Sequence, residues 1–227
     1  MAALDLGCGP SVHTLELAED TPSGHVTGID VSECMLTEAR QRAAMTRSNN
    51  IEFVQGDAQQ LPLNDASVDF IWARLLFQHL RAPQRAIEEA WRVLKPGGRI
   101  CLVDTDRETF FIHPEPSGWS NMVQFLIKRQ AGNGGDGIAG RKLGTRLYAA
   151  GFTDVQVEFT GTSWTGSELV SVMNDLWLPA MRHSPFPPEM QEQVDKLFSE
   201  MSSVAAKPGT YMHWGWFVAT ASRPISG

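Results

Sequence analysis

Cysteine is scarce in this chain: Cys8, Cys34 and Cys101 lie far apart and form no C-x-x-C pair. That excludes a disulfide framework and a zinc ribbon, and makes the reducing cytoplasm the expected setting. The histidines, at 13, 25, 79, 113, 183 and 213, lack the i, i+4 spacing of a helical ligand pair, so no protein-held metal is expected. No run of about 18 apolar residues occurs, which excludes a membrane-spanning helix. Basic charge is short, with 19 Lys and Arg against 26 Asp and Glu and a net charge of −7. Such a surface repels nucleic acid at long range. The two basic clusters, "RLLFQHLRAPQR" and "GRKLGTR", read as helix surface. Repeats, low-complexity tracts and domain linkers are missing too, so one domain, 1–227, is expected.

What is present is a regular alternation. "AALDL" is a short apolar strand, and "SVHTLELAED" follows as a helix with Ser11 as its expected cap. "HVTGID" is strand two, and "SECMLTEARQRAAM" is a helix capped by Ser32. "IEFVQGD" and "VDFIWAR" are strands three and four, separated by the loop "LPLNDAS". In "PQRAIEEAWRVL", Pro83 suits a first helical turn, and Ile87, Ala90, Trp91 and Leu94 fall on one face. "KPGG" stops that helix and "RICLVD" is strand five. Strands separated by helices imply parallel pairing with right-handed crossovers, an α/β fold.

The second half changes character. "GWSNMVQFLIKRQ" is helical, with Trp119, Met122, Val123, Leu126 and Ile127 as its apolar stripe. "AGNGGDG" reads as a flexible linker, a hinge for a lid or plain surface chain. "RKLGTRLYAAGF" is a helix ended by Gly151, "TDVQVEFTG" a strand, and "YMHWGWFVATASRP" the final strand. Between them "SELVSVMNDLWL" and "PEMQEQVDKLFSEM" are helices broken by the proline-rich "RHSPFPPEM". Residues 105–150 and 161–210 are expected to be helical additions on the substrate side. Phe110, Phe111, Trp119, Phe125, Trp164 and Trp177 in this half suggest an apolar small-molecule pocket, some of them serving as core.

The turn "LDLGCGPSV" is the most informative stretch. A strand entering a helix through small residues places helix amides at the carboxyl edge of the sheet, where ligands of open α/β folds bind. Gly7 and Gly9 allow close approach of the backbone. Asp30 ends strand two, 21 residues after Gly9, the distance at which an acid meets a ribose hydroxyl pair. An adenosine-containing ligand is therefore expected. A dinucleotide site would carry G-x-G-x-x-G, but the third position is Val12, and a pyrophosphate is poorly matched to Asp5. A carboxylate there suits a ligand with a cationic group, such as S-adenosylmethionine (SAM), which has an ammonium, a sulfonium and no phosphate.

"LDLGCG", "GIDVSECML", "QGDAQQLPL", "VDFIWARLLFQHL" and "EEAWRVLKPGGRICLVD" resemble, in order, the motifs of class I SAM-dependent methyltransferases. The similarity is greatest to the small-molecule group that includes the ubiquinone and menaquinone C-methyltransferases. It is specific across residues 2–104 and weaker in "RLYAAGFTDVQVE" and "GWFVATASRP". The resemblance implies a Rossmann-like, mostly parallel seven-stranded sheet of order 3-2-1-4-5-7-6, strand seven antiparallel, with helices on both faces. It implies SAM as cofactor, S-adenosylhomocysteine (SAH) as product and a small, apolar or aromatic acceptor. By position, Asp5, Gly7 and Gly9 would surround the methionine tail, and Asp30 would bind both ribose hydroxyls. Val31 and Met35 would flank adenine, Asp57 and the Ala58 amide would meet its edge, and Arg74 would face the methyl end. Ser11 departs from the family, which often has glycine there.

The reaction so implied is an SN2-type displacement from sulfonium. Holding donor and acceptor in line does most of the work, and a base is needed only if the acceptor must lose a proton. His113, after strand five, is the candidate base, set against a plain loop histidine; His79 and Cys8 read as structural. Two other readings stay open: a SAM-binding protein that transfers no methyl or catalyses another reaction, and a protein or nucleic-acid methyltransferase. The acidic charge, and the lack of an Asn-Pro-Pro-Tyr-like run after "VDFIWAR", disfavour the latter. Oligomeric state is not legible. Strand one starts at Ala2, whereas the resembled family carries helices ahead of it. The expectation is a more open SAM cleft, or a segment missing from this chain.

Overall fold

The computed structural model describes residues 1–46, 48–177 and 186–225. Its centre is β1 (Ala2–Leu6), whose last four residues are all buried. β1 pairs in parallel with β2 (His25–Asp30) on one side and with β4 (Val68–Arg74) on the other. β3 (Ile51–Gln55) extends the sheet beyond β2, and β5 (Leu94–Thr105) extends it beyond β4. A strand covered on both faces needs an apolar run, and "AALDL" supplies one.

The helices α1 (Val12–Asp20), α2 (Glu33–Ala44) and α3 (Pro83–Val93) make the crossovers. Ser32 caps α2 as expected, its Oγ accepting from the Met35 amide at 3.4 Å. Ser11 does not cap α1. Its φ of +72° turns the side chain away from the helix amides, and its Oγ donates to the Ala39 carbonyl at 3.5 Å in the interior. α3 buries Ala86, Ile87, Ala90 and Val93 against the sheet. Strand five starts earlier than expected, at Leu94, because a register shift opposite Val68 and Phe70 lets "KPGG" run into the pairing.

β8 (Tyr211–Ser222) lies antiparallel to β5, and β7 (Thr153–Thr165) pairs along its other edge. The expected order is thus present, with β7 and β8 as strands six and seven. The count differs by one. β8 outruns β5, which pairs only with Trp216–Ser222, and a short β6 (Phe111–His113) takes up Tyr211–His213.

Two apolar cores result. The first joins the sheet to α3 and α5 (Leu143–Ala149), through Leu4, Ile71, Ile87 and Leu147 among others. The second lies under α4 (Trp119–Gly132), α6 (Gly166–Ser171) with its π-helical continuation Val172–Trp177, and α7 (Pro188–Ala205). Phe110 and Trp119 are buried there with ring centroids 4.9 Å apart, so these two aromatics are core. The side chain of Trp177 lies outside the described residues. Among the described residues no helix is long and apolar enough to cross a membrane.

Candidate functional site

The turn after β1 is held by its own backbone. The Gly7 and Cys8 amides both donate to the Ile29 carbonyl, at 2.8 and 3.0 Å. Gly7 has φ +73°, which favours glycine, and a Cβ there would lie 2.8 Å from a Leu76 methyl, which would have to shift. Gly9, at φ +50°, is different: a Cβ there would meet nothing within 4 Å. Its outer face is open space at the edge of the sheet. Ser11 occupies a left-handed position that glycine would take without strain.

Three acids near this turn have different surroundings. Asp5 lies beneath it, only 3% exposed, with the Thr14 hydroxyl donating to Oδ2 at 2.6 Å. Burial pushes its pKa up to about 6, against the opposing pull of the Thr14 hydrogen bond. Asp30 is fixed by two amides, Ser32 N to Oδ1 and Gly9 N to Oδ2, each at 2.9 Å. Each oxygen keeps a further lone pair for a ligand hydroxyl. Asp57 is exposed and turns its Oδ1 onto the Gln59 amide at 2.8 Å, an Asx turn.

Asp30, Val31, Asp57, Ala58 and Gly7 line one cavity of about 440 Å³, a size suited to a small organic ligand. Val31, 69% exposed, and Met35, 40% exposed, are apolar side chains left open at the start of α2; Val31 belongs to the lining and Met35 stands one turn on. Gly9 and Asp5 frame the turn without lining the cavity. Arg74 stands apart, its Nη1 3.1 Å from His13 Nε2 on α1. His113 is exposed on β6, its ring 5.7 Å from that of Tyr211, and lines neither this cavity nor the second one described below. Burial, with Asp5 and Asp30 nearby, pushes the Cys8 thiol up, so it is no nucleophile.

The far wall carries no residue that the sequence motifs assign to a ligand. Leu75, Leu76, His79 and Leu80 follow β4 and close the cavity opposite Asp30. Leu75 carries φ +56°, uncommon for a branched side chain, and its amide donates to the Val103 carbonyl at 2.8 Å. Gln59 ties this wall to the Asp57 loop, accepting from the Ala82 amide at 2.9 Å. The 3 and 4 spacing of Leu76, His79 and Leu80 is the one signal that could have marked a shared face. His79 also lines a second cavity of about 180 Å³, with Gln78, Arg107, Leu126, Arg129 and Gln130. "AGNGGDG" is no free linker. Asp136 N donates to the Gln78 carbonyl at 2.9 Å, and a Cβ on Gly135 would lie 2.4 Å from that same oxygen.

Residues 1–145 match a family defined as a methyltransferase domain. The chain belongs to this family. A demethylmenaquinone methyltransferase of Listeria monocytogenes is 33% identical over 126 residues, which are 55% of this chain and 51% of that protein. The methyltransferase-domain chain thus spans about half the length of that relative. Among solved structures, the YcgJ protein of Bacillus subtilis superposes with a TM-score of 0.69 at 19% identity, over 100% of this chain and 92% of that one. A phosphoethanolamine N-methyltransferase of Haemonchus contortus, solved with S-adenosyl-L-methionine, gives 0.64 at 18% identity, over 99% and 49%. At these identities the two structures establish the shared fold.

Proposed function

We propose that this chain binds SAM and transfers its methyl group to a small molecule. The observation that carries the reading is the cavity at the carboxyl edge of β1, β2 and β4, with a twice-anchored Asp30 on one side and an open glycine turn beside it. The residues fit a nucleoside better than a pyrophosphate. Two acids, Asp30 and Asp57, line the cavity against one basic side chain, Arg81. Asp30 offers two fixed acceptors to a ribose diol, and Val31 and Met35 offer apolar surface to an adenine face. Asp5 lies under the turn where a ligand ammonium would draw its proton off.

When bound, SAM supplies a methyl group on a sulfonium that leaves as a neutral thioether. The chain's own contribution is then placement. The Gly7–Gly9 backbone and Asp30 orient the donor, and Leu75, Leu76 and Leu80 keep water from the opposite wall. His79 stands where the two cavities meet. Burial, with the Arg107 charge nearby, holds its pKa below the usual histidine range. A neutral imidazole there can accept a proton from an acceptor hydroxyl, and we assign that task to His79 in preference to His113. The acceptor has an apolar or aromatic body, met by Leu80 and Leu126.

Calorimetry with SAH and with NAD tests this reading. SAH is expected to bind and NAD is not. Asp30→Ala removes a charge-assisted bidentate contact worth about 1.5–3 kcal/mol, on the order of 10–100-fold in SAH affinity. Wild-type affinity in that variant, or binding of NAD in place of SAH, refutes it.

A further inference from the structure

The second cavity is a basic site in an acidic protein. Its described lining holds Arg107 and Arg129 and no carboxylate, although the chain as a whole carries a net charge of −7. Described carboxylates on the flanking segments have partners of their own. Asp104 is buried and accepts from the Gln78 and Thr105 amides at 3.1 and 2.8 Å. Asp106 and Glu108 pair with Arg141, and Asp136 pairs with Lys142 and Arg146.

Arg107 is half-buried, and among the described residues its side chain makes one hydrogen bond, Nε to Gln130 Oε1 at 2.9 Å, and no ion pair. Gln130 is itself anchored, its Nε2 donating to the Gln78 carbonyl at 2.7 Å. Arg129 packs over the Phe125 ring, 5.9 Å from its centroid. Burial first and the Arg129 charge second pull the Arg107 pKa down, and the buried Asp104 opposes them with the smallest effect. Two like charges sharing one small space, one of them partly desolvated, are stabilised when an anion enters between them. The space is built in advance, since the glycine loop is docked on Gln78 and the Arg107 amide donates to the Gly137 carbonyl at 2.9 Å. His79 lines both cavities, so what enters here borders the proposed donor cavity.

We infer that this second cavity is the acceptor site and that it takes a small molecule bearing a carboxylate or phosphate, held by Arg107 and Arg129 beside His79. The inference rests on the proposed methyltransferase reading for the word acceptor; the anion preference rests on the cavity alone. It adds a binding group to the reaction and no chemical step. It also refines the acceptor, whose apolar body meets Leu126 while its anionic end meets the arginines.

The test titrates SAH-loaded protein with benzoate, phenyl phosphate and neutral benzyl alcohol by calorimetry. At least one anion is expected to bind roughly 10-fold or more tighter than the alcohol, and to weaken as salt rises. The tighter anion tells carboxylate from phosphate. Arg107→Gln and Arg129→Gln are each expected to weaken it about 10-fold or more, with SAH affinity kept as the sign of a folded protein. Equal binding of the alcohol, or anion affinity unchanged in both variants, overturns the inference. If SAH fails to bind, the cofactor reading falls; the same anion titrations without SAH then decide the cavity by the same two criteria.

Discussion

Replacing Asp5 with asparagine isolates the electrostatic cost of an acid beneath the glycine turn. The carboxyl is 3% exposed, and burial raises its pKa from 3.8 to about 6 even though Thr14 donates to it. The folded protein therefore holds this proton more tightly than the unfolded chain does. The stabilisation from the protonated form is complete below pH about 4 and is lost as pH rises through about 6. Each pKa unit corresponds to about 1.4 kcal/mol, so ionised Asp5 costs about 3 kcal/mol by pH 7.5. Asparagine has the same shape and never ionises. The stability gap between Asp5→Asn and wild type should then widen, in favour of the variant, by about 2–3 kcal/mol between pH 4 and pH 7.5. Taking the change in the gap removes whatever the new amide does to Thr14 at every pH. Urea unfolding followed by circular dichroism, repeated across that range, measures it. A gap that stays constant with pH refutes the reasoning. The same variant should bind SAH less tightly above pH 6, where wild-type Asp5 is ionised, trading ligand affinity for stability.

The two glycines should separate stability from binding. Gly9→Ala is expected to cost only about 1 kcal/mol of stability, from its left-handed φ, yet to weaken SAH because the methyl projects into open space beside the cavity. Gly7→Ala should destabilise by more than that, since its Cβ would strike Leu76; the two orders reversed in thermal melts and calorimetry would discard the assignment. NMR titration should place His79 below the usual histidine range, and Arg107→Gln should move it up, because Arg107 helps to hold it down; no movement means burial alone sets it. His113→Ala should leave turnover on the true acceptor near wild type, while His79→Ala lowers it about 100-fold or more with SAH affinity kept; the opposite pattern returns the base role to β6. Arg223 donates to the Trp91, Arg92 and Leu94 carbonyls and lies 3.8 Å over the Trp91 ring. Arg223→Ala should cost about 2–4 kcal/mol in urea unfolding, and a loss under 1 kcal/mol would show the clasp to be surface ornament.

The sheet order and one wall of the first cavity were legible because their signals are local. A strand, a glycine turn and an acid 21 residues on are read within one β–α–β unit, and steric rules force the crossovers to one hand. Asp30 could be placed by counting; Val31, Asp57 and Ala58 were placed by the resemblance, and all four line the cavity. The failures are just as physical. Ser11 looked like a cap, but its φ of +72° depends on how α1 is set against Ala39 of α2. "AGNGGDG" looked free because its partner, the Gln78 carbonyl, is more than 50 residues away. That Phe110 and Trp119 pack into a core of their own under α4, α6 and α7, while still lining a cavity with Phe111, is decided by packing that no local pattern shows. The left-handed Leu75 and the meeting of His79 with Arg107 and Arg129 have no sequence signature at all. Arg107 and Arg129 flank one small space only because α4 folds back over the chain that leaves β5, and only that packing leaves the Arg107 guanidinium half out of water with no ion pair among the described residues.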